Sequence, residues 1–346
     1  MKTLWMIGQF VAGLSVVSLG SLAAPSPRTD IVLAHYNEDV AWVRQYIGRQ
    51  NVDVRIYSKA EQLLELEGAT VLPLANFGRE SHTYLHHIVH NYDNLADWTV
   101  FSQACSPSWG YLIGDSGNGH LNDKVSFDDY VRPFPNGRDS FFVMNAASQF
   151  PRATQLNRLG IIVQGFPDEG PEMCPKLGAE GWTSWWFLPD HPHLKRGDML
   201  DFYDKYVAAS HRLAERKPLI LAFAQGGRFA VSRARIHARP KTYYARMLVV
   251  LSKEVNPQEG FWMEAVWWDV FHPEALQSKT PLCEYPVLGE HVTRGPYADT
   301  GILNAIRAQL RGGRLWPPWK TIRKGVLISR GPLQRRRREL SLLSPI

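Results

Sequence analysis

The sequence predicts an α/β protein built on a mainly parallel sheet flanked by helices. Three observations carry that reading. Short apolar runs of strand length alternate with segments of helical periodicity over residues 30–103, an order in which a helix crosses between successive parallel strands. Each run stops at polar residues, and the carboxyl ends of parallel strands are where such sheets collect ligands. A chain of 346 residues that is 45% hydrophobic and 12% aromatic also holds enough apolar material for a full-sized core.

In order, residues 30–36 form an apolar strand that ends in Asn37, Glu38 and Asp39, and residues 40–46 suit a helix. Residues 52–57 alternate as a second strand, followed by Ser58 and Lys59. Residues 76–93 read as a loop feeding a helix. Gly78 lets the backbone turn closely, and Tyr84, Leu85, Ile88 and Val89 recur at helical spacing. Residues 99–102 make a third strand ending at Gln103. Residues 105–170, rich in Gly, Asn, Asp and Pro, read as a loop-heavy insertion with strand patterns only at 140–144 and 160–163. Order returns with a helix over 199–216, a strand over 218–223, the pair Gly226-Gly227, and helices over 240–251 and 261–271.

The expected organisation is a signal peptide or signal anchor over 1–24, a linker over 25–29, a single α/β catalytic-like domain over 30–309, and a basic, poorly ordered tail over 310–346. Lys2 is the only charge in the leader, and Ser21, Ala23 and Ala24 before Pro25 suit signal-peptidase cleavage. Uncleaved, the same stretch reaches the about 20 residues of a membrane span. The protein is therefore expected to be secreted or lumenal, touching a membrane only through an uncleaved anchor.

The formal net charge is +6, and Arg335, Arg336, Arg337 and Arg338 supply four of those charges, so the body is nearly balanced and no nucleic-acid partner is expected. Cys105, Cys174 and Cys283 allow at most one intramolecular disulfide, with the pairing open. Their spacing gives no zinc site.

Several residues could carry chemistry. Arg79 and Ser81 stand where helix N–H groups point outward, so this start either holds a diphosphate or carboxylate or is a capped helix with Arg79 in solvent. Gly226 and Gly227 let backbone approach a ligand beside Arg228 and Arg233, or else form a tight turn. Glu264, Trp267, Trp268 and Phe271 share one helical face. A carboxylate among indoles gains proton affinity, as a general base near neutral pH requires, and indole faces stack sugars; the plainer reading is a core helix with Glu264 at its edge. His82, His86 and His90 also share a face, read as surface or hydrogen-bonding groups rather than a metal site. Neither an HExxH nor a GxSxG motif is present.

The blocks Ala34-His35-Tyr36-Asn37-Glu38-Asp39, Asn76-Phe77-Gly78-Arg79-Glu80-Ser81-His82-Thr83-Tyr84-Leu85 and Gly227-Arg228-Phe229-Ala230-Val231-Ser232-Arg233, with Glu264 and Trp267, resemble the largely fungal domain of unknown function numbered 3431, over roughly residues 30–272. The opening strand and the late Gly-x-Phe-Ala-Val-Ser-Arg block are more distantly similar to GT-A glycosyltransferases, in which a nucleotide sugar lies against the first strands and a late helix supplies an acidic base. That resemblance implies a GT-A (nucleotide-diphospho-sugar transferase)-like fold. It places Asn37, Glu38 and Asp39 at the donor pocket, Arg79 and the helix start at the diphosphate, and Glu264 as catalytic base, with Tyr36, Glu80, His82, Gly227, Arg233 and Trp267 as further ligand-binding candidates.

The chain departs from the pattern in one place. Phe101-Ser102-Gln103-Ala104-Cys105 stands where family members show Phe-Leu-Gln-Gly, and no Asp-x-Asp occurs there. No cofactor is expected, since Mn or Mg lacks that motif. Three functions remain open: an exported glycosyltransferase-like enzyme with a sugar or small-molecule substrate; a tailoring enzyme of fungal secondary-metabolite biosynthesis acting on a non-sugar; or a non-catalytic binding protein using Trp182, Trp185, Trp186, Trp267 and Trp268 as stacking platforms.

Overall fold

A computed structural model describes residues 26–62, 64–107, 125–144, 146–150, 161–164, 199–208, 219–224 and 226–277. The leader, Trp182, Trp185, Trp186, Cys174, Cys283 and the basic tail lie outside the described residues.

The first strands are β1 (Thr29–His35), β2 (Val52–Ser58), β3 (Thr70–Pro73) and β4 (Trp98–Gln103), with helix α1 (Arg79–Asn91) between β3 and β4. Next come α2 (Phe127–Val131), β5 (Ser140–Phe142), β6 (Ala146–Phe150), β7 (Ile161–Gln164), α3 (Met199–Phe202), β8 (Leu219–Phe223) and β9 (Phe229–Ser232). Helices α4 (Arg233–His237), α5 (Lys241–Leu251), α6 (Gln258–Phe271) and α7 (Pro273–Gln277) close the described chain.

The main sheet has six strands in the order β3-β2-β1-β4-β9-β5. β1 to β4 are mutually parallel, and β9 runs antiparallel to both neighbours. The expected α/β class holds, with a mixed and mostly parallel sheet.

Alternation sorts the strands into two cores. Val32, Phe101, Phe229 and Val231 face α1, α5 and α6, where they meet Tyr84, Leu85, Met247 and Trp267. Ile31, Leu33, Val54, Ile56, Val100 and Ala230 face the opposite side, covered by Tyr46, Phe127 and Tyr130.

Four details differ from the sequence reading. β3 was not anticipated: it is four partly exposed residues at the sheet edge, ending in Pro73, whose missing N–H an edge tolerates. Residues 41–46 form a 3₁₀ helix rather than an α-helix, the tighter form common in short pieces. The helix expected over 199–216 begins as α3 and continues as a π-helical turn, Tyr203–Val207, with residues 209–216 outside the described set. The strand at 219–223 leaves the main sheet altogether. It pairs with β6 in a separate antiparallel sheet of order β7-β6-β8, built partly from the region read as loop-heavy.

Helix α1 is the inner helix. Glu80, Ser81, His82, Thr83, Tyr84 and Leu85 are all buried in succession, so its first turns have no solvent face. A helix start enclosed on all sides needs polar partners from its surroundings.

Candidate functional site

The polar residues gather at the carboxyl ends of β1, β2 and β4. After β1 the chain moves to β2 on one side, while β4 lies on the other, so a switch point opens between the ends of β1 and β4. Because β9 is antiparallel to β4, with Phe229 opposite Phe101, the Gly226-Gly227 turn before β9 arrives at this same end. Sequence reading had placed that turn near a ligand without locating it.

At the end of β1, buried His35 bridges to β2 through Nδ1 and Ser58 Oγ at 2.9 Å, and its Nε2 lies 3.2 Å from the Glu38 carbonyl. The Glu38 carboxylate folds back and accepts the N–H groups of Tyr36 at 2.7 Å and Asn37 at 3.1 Å. Asp39 accepts the N–H of Ala41, the first residue of the 3₁₀ helix, at 2.8 Å. Both acids thereby shape the loop, and Tyr36, Asn37 and Asp39 present exposed surface at its rim.

At the end of β2, Lys59 is buried and donates to the carbonyls of Phe77, at 2.6 Å, and Arg79. Those carbonyls belong to the turn that starts α1, where Gly78 and Arg79 have φ of 58° and 55°. Arg79 then extends its guanidinium over the Phe261 ring of α6, 4.2 Å from the centroid, with Nη1 3.4 Å from Asn256 Oδ1 and Nε 3.5 Å from Glu80 Oε2. The start of α1 is thus neither bare nor solvated. It abuts the end of α5, and a Cβ on Gly78 would come within 2.6 Å of the Leu251 carbonyl oxygen.

Glu264, from the middle of α6, reaches the diglycine turn, where its Oε1 accepts the N–H of Gly226 at 2.5 Å. Burial raises its carboxyl to about 7, and the neighbouring Glu80 carboxylate adds to the rise; the Gly226 N–H and Arg79 oppose it. Glu80 sits under the same turn: a Cβ on Gly227 would lie 3.7 Å from Glu80 Cγ and 3.7 Å from Tyr84 Cε2. Glu80 Oε1 and the Tyr84 hydroxyl are buried and have no hydrogen-bond partner among the described residues. Burial also lifts the Tyr84 hydroxyl well above its ordinary range, with Glu80 the next cause.

The residues departing from the family pattern have a local role. Ser102 Oγ accepts from the Nε of buried Arg228 at 3.0 Å, which ties β4 to the turn before β9. Cys105 follows, half-buried, its thiol raised first by burial and then by Glu38, with Arg228 opposing.

Not every expected site residue joins the cluster. Arg233 lies past the far end of β9 and pairs with Asp97, before β4, at 2.9 Å, so it stands at the amino end of the parallel strands. Trp267 is enclosed by Tyr84, Phe229 and a stacked Phe271, 2% exposed, and presents no free indole face. Trp268 stacks on His272 with centroids 3.6 Å apart. His82 is buried, edge-on to Phe77 and stacked on His86, and burial drives its imidazole down to about 3. His86 and His90 continue the stack at 3.9 Å.

Sequence reading placed Lys59 at a strand end where ligands collect without making it a site residue, and it missed Tyr84. Lys59 carried a signal, a cation directly after a strand. Tyr84 looked like an ordinary apolar position of a helix.

Among the described residues no group of three or more His, Cys, Asp and Glu is arranged to hold a metal ion, and no helix is long and apolar enough to cross a membrane. No curated protein and no solved structure matches the chain. Residues 31–115, from β1 through α1 and β4, match the family described as Protein of unknown function (DUF3431), a span that holds Lys59, Arg79, Glu80 and Tyr84 and stops short of Gly226 and Glu264.

Proposed function

We propose that this protein is a glycosyltransferase-like enzyme that transfers a sugar from a nucleotide donor to an acceptor hydroxyl, with Glu264 as the general base. The observation that carries the reading is the Glu264 carboxylate, held by the Gly226 N–H at 2.5 Å and raised to about 7, at the carboxyl end of a mostly parallel sheet. A base poised near neutral pH is suited to taking a hydroxyl proton as the acceptor oxygen attacks. In the transfer, the new C–O bond forms at the anomeric carbon, the bond to the diphosphate breaks, and its electron pair leaves with the diphosphate. Arg79, beside Glu80 and over Phe261, is a cation whose charge acts on this base and is available for that leaving charge.

The strand order, with an antiparallel β9 delivering a glycine turn and an arginine to the ends of β1 and β4, supports a nucleotide-sugar site over a bare binding surface. The non-catalytic reading has lost Trp267 as an open platform, since neighbouring rings enclose it, and the half-buried Trp268 has one face stacked on His272. A non-sugar tailoring reaction would use the same base on a different donor.

The test is a thermal-shift screen of the protein against nucleotide sugars and free nucleotides, with and without Mn²⁺, followed by turnover with whichever donor binds. A ligand at 100 times its dissociation constant stabilises the fold by about 2.7 kcal/mol. Glu264→Gln should keep that shift and lose turnover. A full set of donors that neither shifts the protein nor turns over would overturn the transfer reading.

A further inference from the structure

The Gly226-Gly227 turn brings two carboxylates together from different helices. Gly226 gives its N–H to Glu264 of α6, and Gly227 leaves its Cα bare over Glu80 of α1, at ordinary contact distance for any Cβ placed there. With φ of 84° and 61°, the two glycines take a path that side chains disfavour, so the turn can lie flat on both acids. Glu80 Oε1, in a residue only 8% exposed, has no partner among the described residues, and neither has the hydroxyl of the fully buried Tyr84 beside it. Buried polar atoms are normally satisfied, so two unsatisfied oxygens beside one turn mark where a ligand group or a proton belongs.

We infer that Glu80 is a second reacting group: its carboxylate and that of Glu264, gathered by the Gly226-Gly227 turn, work as one acid–base dyad that carries a single proton and serves the acceptor hydroxyl. This rests on the transfer reading for the identity of the hydroxyl. A buried and a half-buried carboxylate in one site repel each other when both ionise, and a shared proton removes that repulsion.

The other charged and titratable groups facing the pair fit this role. Arg79 approaches Glu80 from the same helix, Lys59 faces Glu80 from the end of β2, and Tyr84 faces both acids. Arg228 and Cys105 face Tyr84 from the β9 and β4 sides. Lys59 is engaged with the Phe77 and Arg79 carbonyls and Arg228 with Ser102, while Arg79, over Phe261, also stands 3.5 Å from Glu80 Oε2. The guanidinium offsets part of the repulsion on the Glu80 side, and the pair's one proton offsets the rest. In the reaction the ionised member accepts the hydroxyl proton as the C–O bond forms, and the dyad later releases one proton to water.

The experiment is a carbon-13 NMR titration of the full chain, labelled at the glutamate side-chain carboxyl carbons. In the wild type, the Glu80 and Glu264 signals should move together as one proton is taken up. In Glu80→Gln the Glu264 midpoint should fall by about one pH unit or more, since a like charge is gone. Glu80→Asp should keep it raised. A Glu264 midpoint unchanged in Glu80→Gln would overturn the dyad. If that variant does not fold, the wild-type titration decides alone, because signals that titrate independently also overturn it. A coupled titration in a protein that binds no nucleotide sugar would keep the dyad and remove the transfer reading. Donor binding with uncoupled titrations would do the reverse.

Discussion

The ammonium of Lys59, at the carboxyl end of β2, donates at 2.6 Å to the carbonyl of Phe77, the residue before the left-handed pair Gly78 and Arg79 that opens α1. A non-glycine residue in that conformation costs on the order of 1–3 kcal/mol and persists only where its surroundings hold it. Lys59 supplies that hold by also taking the Arg79 carbonyl. The carboxyl end of β2 thus decides where Arg79 and Glu80 point.

Lys59→Met should therefore destabilise the fold by about 1–3 kcal/mol, because it leaves enclosed carbonyls unpaired. Burial lowers Lys59 from 10.5 to about 8, partly countered by Glu80. A lowered lysine releases its proton on folding between those two values, so wild-type stability should grow relative to Lys59→Met as pH rises from 8 toward 10.5. Urea denaturation at pH 7.5 and 9.5 measures this, and an equal gap at both would refute the buried charge.

Glu264→Gln has the opposite pH signature. The folded carboxyl is raised from 4.5 to about 7, so the native state holds a proton that the unfolded chain gives up in that window. Wild-type stability should fall as pH rises from 4.5 to 7, and the glutamine variant should lack that fall. On the order of 2 kcal/mol should separate the two slopes between pH 5 and pH 8. Parallel melting curves across that range would show Glu264 to be an ordinary carboxylate.

Gly78→Ala tests the seat of α1. Its Cβ would meet the Leu251 carbonyl oxygen at 2.6 Å and the Cβ atoms of His82 and Leu251 at 2.7 Å each, at a φ of 58°. Backbone and helix Cβ atoms cannot swing aside, so a loss of about 2–4 kcal/mol is expected from strain and overpacking together. A variant within 0.5 kcal/mol of wild type, roughly the range of a surface substitution, would show that α1 does not rest against α5 as described.

His87 tests acid sensitivity. It is fully buried, 3.1 Å from the Tyr57 hydroxyl, and burial followed by Arg55 drives it down to about 3. The unfolded chain binds a proton near 6.5 that the folded imidazole refuses, so stability is lost as pH falls from 6.5 toward 3. His87→Gln should lose about 3 kcal/mol less than wild type between pH 6.5 and pH 4. Equal acid losses in guanidinium titrations would place the proton uptake at other histidines.

How much was legible in the sequence follows residue by residue. β1 and β4 were readable as short, mostly apolar runs buried on both faces, and β2 by the alternation of Val52, Val54 and Ile56 with Asp53, Arg55 and Tyr57. β3 was not, since four half-exposed residues ending in Pro73 carry little pattern. Glu264 stood out as a carboxylate among tryptophans, yet the same face misled about Trp267: helical periodicity shows that residues share a side and not what that side meets. Arg233 was grouped with Gly227 because they are near in sequence, but the four residues of β9 carry it to the opposite end of the sheet.

The sequence by itself determined the α/β class, most strand positions, the glycine turn and the unusual carboxylate of Glu264, because periodicity and composition act locally along the chain. Only the tertiary structure decided that β9 runs antiparallel beside β4 and that the first turns of α1 are buried all round. The meeting of Glu80 with Glu264 over Gly226 and Gly227 follows from those two facts. Strand pairing and helix burial are settled by the free energy of closing cores between segments far apart in the chain, and the proton affinity of Glu264 depends on that closure rather than on its own neighbours in sequence.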